Sequence, residues 1–266
     1  MRLQVLVAAV NADPRKLAEN MNLRTDALIV NQCDRHGYEE WEPGGRKIRC
    51  LSMPERGVGL SRNTALMRSE GDICLFSDED IRLEDDYEEK ILGAFEANPD
   101  ADVILFNMEI DPSRATYHND KKHRVRWYNY GRYGLVAAAV RREAVIRGNI
   151  GFSLLFGGGA RYSNGEDSLF LHDCLKKGLH LYTETANIGR EILRESTWFT
   201  GYSEKFFFDR GVLYAYLYGP MAEIWTLRYL LTKKKVLCGE VPFSRAWRTM
   251  RKGIREGRSI RESARR

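Results

Sequence analysis

The chain contains no apolar stretch approaching the ~18 residues that would cross a bilayer as a helix. Its five cysteines (Cys33, Cys50, Cys74, Cys174, Cys238) are odd in number and form no CxxC pair. That usage argues against a disulfide framework or a cysteine zinc site and suits a reducing compartment. The five histidines are scattered with no HxH or HxxxH spacing, so they suggest no compact histidine metal site. No internal repeat and no Pro- or Ser-rich linker marks a boundary between independent domains. What is present is ordinary for a globular protein: 43% hydrophobic and 30% charged residues exclude a disordered or fibrous chain. Met1-Arg2 followed by LQVLVAAV has the ingredients of a short signal region, but the run leads directly into a pattern that uses it as a first strand.

The net charge of +5 hides an asymmetry. Of the 42 Lys and Arg and the 37 Asp and Glu, thirteen and three fall in residues 226–266, leaving twenty-nine and thirty-four in the 225 residues before them. An acidic body with a basic end suggests an anionic partner for that end, either a membrane surface or a nucleic acid.

The first hundred residues alternate as βα units. LQVLVAAV and DALIVN predict two strands, with a helix opened by Pro14 between them. A polar, Gly-rich stretch, CDRHGYEEWEPGG, precedes a third strand in RKIRCLSM. VGLSRNTALMRSE places Leu60, Ala65, Leu66 and Met67 on one helical stripe, and ICLF is a short buried strand. DDYEEKILGAFEANPD has acids at its start and Asn-Pro at its stop, as a helix dipole favours. DVILFN is a further strand. Apolar strands joined by helices predict a mostly parallel sheet covered on both faces, with ligands at the carboxyl ends of the strands. Residues 112–133 read as a polar, aromatic and basic loop or ribbon. GLVAAAVRREAVIRG resumes strand then helix, and Glu166-Asp167 open another helix that stops at Gly178 before a strand HLY. From about residue 201 the pattern is helical, with Phe206–Phe208, Tyr214 and Leu217 as candidate core.

CLFSDED, residues 74–80, sets three acids at the end of a buried strand. Extended backbone there would aim Asp78 and Asp80 to one side, roughly 7 Å apart, and Glu79 to the other. Such a pair suits a divalent cation that takes oxygen ligands and bridges a diphosphate. A solvated turn or a helix-start acid cluster is the plainer alternative. Upstream, ERGVGLSRN puts Gly57 and Gly59 before a helix with Arg62 and Asn63 in its first turns, a pattern that attracts phosphate. Downstream, Glu166-Asp167 offer a general base or, more plainly, a dipole-favoured helix start.

Taken together, GLSRNTALMRSEGDICLFSDED and GGGARYSNGEDSLFLHDCLKKG resemble the donor and acceptor halves of the family-2 glycosyltransferases. ESTWFTGYSEKFFFDRGVLYAYLYG looks like the tail of a bacterial subgroup that builds capsular and exopolysaccharide chains. The resemblance covers essentially the whole chain. It implies a GT-A (Rossmann-like) α/β fold over residues 1–200, with a donor half at about 1–110 and an acceptor half at about 111–200. Residues 201–266 would form a helical, basic C-terminal extension. It also implies inverting transfer from a nucleoside-diphosphate sugar, most often a UDP-sugar, to a glycan or lipid-linked acceptor, with Mn²⁺ or Mg²⁺ on the diphosphate. Carried onto this sequence, Asp78 would contact the donor and Asp80 would ligate the metal, with Asp78 as a second candidate ligand. Arg62 and Asn63 would lie against nucleobase or phosphate. Asp167 would be the base, and Glu166 would orient it or bind acceptor. Gly158 and Gly159, within the run 157–159, would let backbone approach the acceptor sugar.

Three departures stand out. The first strand ends in AAVNAD, so Asn11 matches the family's pattern but Val10 replaces its aromatic. The second ends in VNQCD, leaving Gln32 and Asp34 for nucleobase contacts. No histidine occurs between Thr185 and Phe199, where many members place a metal ligand. Other classes fit less well. A non-catalytic nucleotide-sugar-binding partner subunit is opposed by the presence of Asp78, Asp80 and Asp167. A nucleotidyltransferase would carry a Gly-rich loop after the first strand, where this chain has VNADPRK. A nucleic-acid partner is opposed by the acidic body and the lack of a recognised module. The expected setting is cytoplasmic, at the inner face of the plasma membrane, with the basic C-terminus on anionic lipid.

Overall fold

Buried apolar runs and Pro- or acid-started helices alternate in the chain much as the sequence predicts. The computed structural model describes residues 1–110, 117–192 and 201–263. Its strands are β1 Leu3–Val10, β2 Asp26–Gln32, β3 Gly37–Trp41, β4 Ile48–Met53, β5 Ile73–Asp78, β6 Ile81–Leu83, β7 Val103–Glu109, β8 Ala138–Arg141 and β9 Leu181–Glu191. Its helices are α1 Pro14–Asn20, α2 Val58–Met67, α3 Tyr87–Ala97, α4 Arg142–Arg147, α5 Glu166–Lys176, α6 Glu204–Tyr218, α7 Ala222–Thr232, α8 Lys234–Leu237 and α9 Phe243–Ser263. The expectations attached to residues 112–116, and those on 193–200 (the ESTWFT motif and the second half of the histidine-free stretch), lie outside the described residues.

The strands form one sheet in the order β3-β4-β2-β1-β5-β8-β7-β9-β6. β4, β2, β1 and β5 are parallel neighbours, and β7 is parallel to β9. The other four pairings, β3-β4, β5-β8, β7-β8 and β6-β9, are antiparallel. The sheet is therefore mixed: the parallel expectation describes its first half, and antiparallel β8 changes the direction in the middle. Apolar clusters lie on both faces. One gathers Val5, Val7, Ile29 and Ile73 with α1 and α3, and the other Leu6, Leu28, Phe76 and Leu105 with α2 and α5. β1 and β2 end level at Val10 and Gln32, and the parallel β5 ends at Asp78 beside Ala8, which puts the acidic run along this carboxyl edge of the sheet.

Three local expectations change. The polar stretch after β2 contains β3, an antiparallel edge strand whose residues are mostly exposed. Its alternation carries no apolar signal because it buries little. Met67, expected on the buried stripe of α2, is 76% exposed, and the buried side of that helix instead includes Ser61, Arg62 and Thr64. β9 runs for eleven residues where HLY marked three, because its paired neighbours β7 and β6 supply hydrogen bonds to a polar stretch.

The C-terminal helices pack by close approach of backbones. A Cβ on Gly253 would lie 2.1 Å from the Phe208 carbonyl oxygen, and one on Gly211 would lie 2.2 Å from that of Met250. α6 and α9 can meet this closely only without those side chains. Around the crossing, Phe207, Met250, Ile254 and Leu230 form a separate apolar cluster. A smaller one, with Phe156, Tyr162, Leu169, Val212 and Leu213, ties α6 to the start of α5.

Candidate functional site

Arg62 is the centre of the charge cluster. It lies one turn into α2, 5% exposed, and its guanidinium stands over the Phe152 ring at 5.3 Å. Phe152 in turn stacks on Phe170 (4.5 Å) and meets Phe76 edge-on (5.2 Å). On this apolar floor Nη2 donates to both carboxylate oxygens of Asp78 at 3.0 and 3.3 Å, and Nη1 donates to Asp167 Oδ1 at 2.8 Å. One cation thus joins the strand-end acid to the helix-start acid, which lies 105 residues beyond Arg62 in sequence. Burial by itself would lower the basicity of Arg62, but Asp78, Asp167 and Glu166 hold its pKa above the ordinary value.

Asp167 also accepts the Leu135 backbone N–H at Oδ2, 3.1 Å away. Glu166 stands beside it, and burial together with the Asp167 charge pushes its pKa up to about 7, against the opposing effect of Arg62. Two adjacent carboxyls thereby sit in unlike settings, one ion-paired and one held near the point of neutralisation. Gly157 makes room for this pair. At φ +104° it takes a conformation open to glycine, and a Cβ there would fall 2.8 Å from the Glu166 carboxyl carbon.

β5 ends at Asp78, and Glu79 and Asp80 form the turn into β6. The strand alternation expected to aim Asp78 and Asp80 together therefore stops at Asp78. Asp78 meets Arg62, Glu79 accepts the Val10 N–H at 3.0 Å, and Asp80 is half-buried in the turn. Among the described residues no group of three or more His, Cys, Asp or Glu side chains is placed to hold a metal ion. The chemistry of the donors still fits Mg²⁺ or Mn²⁺, which keep water and need only one or two carboxylates beside a diphosphate.

The other candidates occupy structural bonds around this centre. Asn63 clamps Phe152, donating to its carbonyl at 2.8 Å and accepting its N–H at 2.7 Å. Gln32 is buried and its side-chain oxygen accepts the Gly57 N–H at 2.6 Å. The Val58 N–H donates to the Gly158 carbonyl at 2.9 Å, and a Cβ on Gly159 would lie 3.2 Å from Gly57 Cα. The phosphate cradle expected before α2 thus has these two N–H groups bonded within the protein, and Gly59 lies inside the helix against the Ser153 carbonyl. Asn11 sits at positive φ after β1, its N–H bonded to the Gln32 carbonyl at 3.1 Å. Asp34 is exposed and paired to Arg56 at 2.7 Å.

Sequence reading passed over Arg56, Phe152, Leu135 and, above all, Asp209. Asp209 is a buried acid of α6 whose Oδ2 accepts the Ser163 N–H (2.9 Å) and hydroxyl (2.8 Å) and a Lys205 ammonium hydrogen (2.6 Å). Ser163 lies three residues before Glu166, and Arg161 beside it pairs with Glu256 of α9 at 2.7 Å. A Cβ on Gly165, at φ +119°, would meet Leu213 of α6 at 2.6 Å. The turn that presents Glu166 and Asp167 is therefore fastened from the helical side. FFFD reads only as core with a charge in it, and its sole hint was an acid buried in an apolar run.

The model of glycosyl transferase family 2 matches residues 17–152. No curated protein matches the sequence. Residues 1–349 of S. aureus TarS in complex with UDP-GlcNAc superpose with TM-score 0.63 at 17% identity, covering 100% of this chain and 92% of that one. The same protein in complex with UDP gives TM-score 0.60 at 15% identity, covering 100% and 91%. The Pyrobaculum calidifontis mannosyltransferase PcManGT in complex with GDP-Man and Mn²⁺ gives 0.52 at 14%, covering 97% and 75%.

Proposed function

The chain belongs to glycosyl transferase family 2, and from that premise we propose a metal-dependent, inverting transfer of a sugar from a nucleoside-diphosphate sugar to a glycan or lipid-linked acceptor. The observation that carries this reading is Arg62, which binds Asp78 of the donor half to Asp167 of the acceptor half. The fold neighbours complexed with UDP-GlcNAc, UDP and GDP-Man support the donor class, and we take UDP first. The setting we propose is assembly of a cell-surface polysaccharide, at the cytoplasmic face of the membrane.

In the reaction, an acceptor hydroxyl attacks the anomeric carbon from the face opposite the diphosphate. The new C–O bond forms as the bond to phosphate breaks, and the hydroxyl proton passes to Asp167. Arg62 and the Leu135 N–H hold that carboxylate in one orientation, and a base positioned in this way contributes ~10²–10⁴-fold. Asp78 fixes Arg62 beneath the donor, and Gly157–Gly159 close the wall beside Glu166. Mn²⁺ or Mg²⁺, with Asp80 as its protein ligand, would stabilise the charge that develops on the leaving diphosphate.

A second reading rests on the pKa near 7 of Glu166. Because Asp167 already accepts two donors, Glu166 is the alternative proton acceptor, and Asp167 would then orient Arg62. Single-turnover rates separate the two readings: the base is the residue whose amide variant loses the acid limb of the pH profile.

The test of donor binding is calorimetric titration of UDP, GDP, CDP and dTDP, with and without Mn²⁺, on the wild type and Asp80→Ala. Metal-dependent binding of one nucleotide that the variant loses supports the donor site. Binding without turnover on any acceptor pool would favour a non-catalytic partner subunit, and no binding at all would remove the catalytic reading.

A further inference from the structure

α7 has two apolar faces. Ala222, Thr226 and Leu230 are fully buried against the helical core. On the opposite side Met221, just before the helix, and Ile224, Leu227 and Leu231 within it recur at helical spacing and are 52%, 65%, 41% and 58% exposed. Val236 of α8, 60% exposed, follows the row. An outward apolar row this continuous is unusual on a globular surface and marks a contact.

Its borders are cationic. Arg228 lies over the Trp225 ring at 5.0 Å, and Lys233, Lys234 and Lys235 stand exposed where the row ends. The acid of this helix, Glu223, is within ion-pair distance of Arg251 (3.2 Å) and Arg258 (3.9 Å) of α9. At the other end, a cleft of ≈ 590 Å³ is lined by Gly219, Pro220, Arg258, Arg261 and Glu262, next in chain to Met221. Among the described residues no helix is long and apolar enough to cross a membrane. Apolar side chains flanked by lysines on a short helix match the depth profile of a bilayer interface, with the hydrocarbon boundary beneath and anionic headgroups beside it.

We propose that the outer face of α7, with Lys233–Lys235, docks this protein on an anionic lipid surface lying parallel to the helix. This deepens the membrane part of the proposal above and moves the contact from the basic C-terminus as a whole to one helix. α9 contributes less, because Ala246, Met250 and Ile254 face α6 and the helix turns only its charged side outward. α6 carries both the Asp209 clamp on the catalytic turn and the chain into α7, so the docked helix is linked to the acceptor side of the site through α6. A lipid-linked acceptor would then arrive from the surface on which the enzyme lies.

The experiment is flotation of the full chain with sealed vesicles of phosphatidylcholine, with and without phosphatidylglycerol, in the absence of donor and acceptor. The wild type should float with the anionic vesicles only. Lys233→Gln/Lys234→Gln/Lys235→Gln should lower partition about a hundredfold, and Ile224→Ser/Leu231→Ser tenfold or more, both with unchanged melting temperature. Failure of the wild type to float overturns the proposal. So does equal flotation of the Ile224→Ser/Leu231→Ser variant, or a concentration-dependent dimer abolished by that variant, which would make a second copy the occupant. None of these outcomes bears on nucleotide binding, and loss of nucleotide binding in calorimetry would leave the docking result intact.

Discussion

The two acids joined by Arg62 are held from two sides by different means. On the sheet side, Asp78 stands at the end of β5, fixed by register with β1, and Arg62 rests on the ring of Phe152, itself packed on Phe170 and Phe76. On the helical side, the turn before Asp167 is gripped by polar bonds to Asp209 and Glu256 and by the close packing of Gly165 on Leu213. The match to the family model ends at residue 152, so it takes in Arg62 and Asp78 and stops short of Asp167. Arg62 and Asp78 thus lie inside the matched stretch, while β1 and Phe170, which help to hold them, lie outside it. The orientation of the acceptor-side pair depends on helices outside that match.

Removing the shared chemistry should have the largest effect. Asp167→Asn keeps the Leu135 contact but neither takes a proton nor balances Arg62, and turnover should fall ~10²–10⁴-fold, read as kcat with nucleotide binding retained by calorimetry. If Asp167→Asn keeps most of its rate, Glu166 is the base.

Breaking the helical side globally comes next. Gly253→Val places side-chain atoms where the Phe208 carbonyl already stands. Forcing α6 and α9 apart should cost about 1–3 kcal/mol or more, seen as a melting temperature lower by several degrees. The same change at Gly93, where a Cβ would meet nothing within 4 Å, should shift it far less.

A finer cut addresses the clamp alone. Asp209→Ala removes the acceptor of the Ser163 N–H and hydroxyl and leaves the Lys205 ammonium with only the Arg161 carbonyl. Because Asp209 is a positioning residue, its loss should lower kcat roughly tenfold and raise the acceptor KM, while the nucleotide Kd stays put. Asp209→Asn should recover part of the loss, since an amide oxygen still accepts the Ser163 N–H. Equal loss of donor binding would instead mean that the two sides are not separable.

What was legible in the sequence follows the same division. The βα alternation and the edge under SDED could be read because apolar runs such as ICLF are buried on both faces of a sheet. Asp78, Arg62 and Asp167 could be named from GLSRN, SDED and NGED. Their convergence on one guanidinium could not, because a contact across 105 residues has no local signature. Local pattern also misled at Met67, where amphipathic spacing suggested a buried stripe although the helix turns Arg62 inward. It missed the jobs of Asn63 and Gln32, whose amides bond to backbone brought near only by the fold.

The smallest predicted effect lies between the two sides, on Glu166. Burial and the Asp167 charge raise its pKa to about 7, so the folded protein holds a proton that the unfolded chain releases at ordinary carboxyl values. The stabilisation this provides is complete at acid pH, below the unfolded value, and is lost as pH rises through about 7, when the folded carboxyl must ionise beside Asp167. Glu166→Gln cannot ionise and lacks that dependence. Relative to wild type its melting temperature should therefore rise between pH 5 and pH 8 by roughly 3–6 °C. A constant difference across this range would mean that Glu166 titrates like a solvated carboxyl.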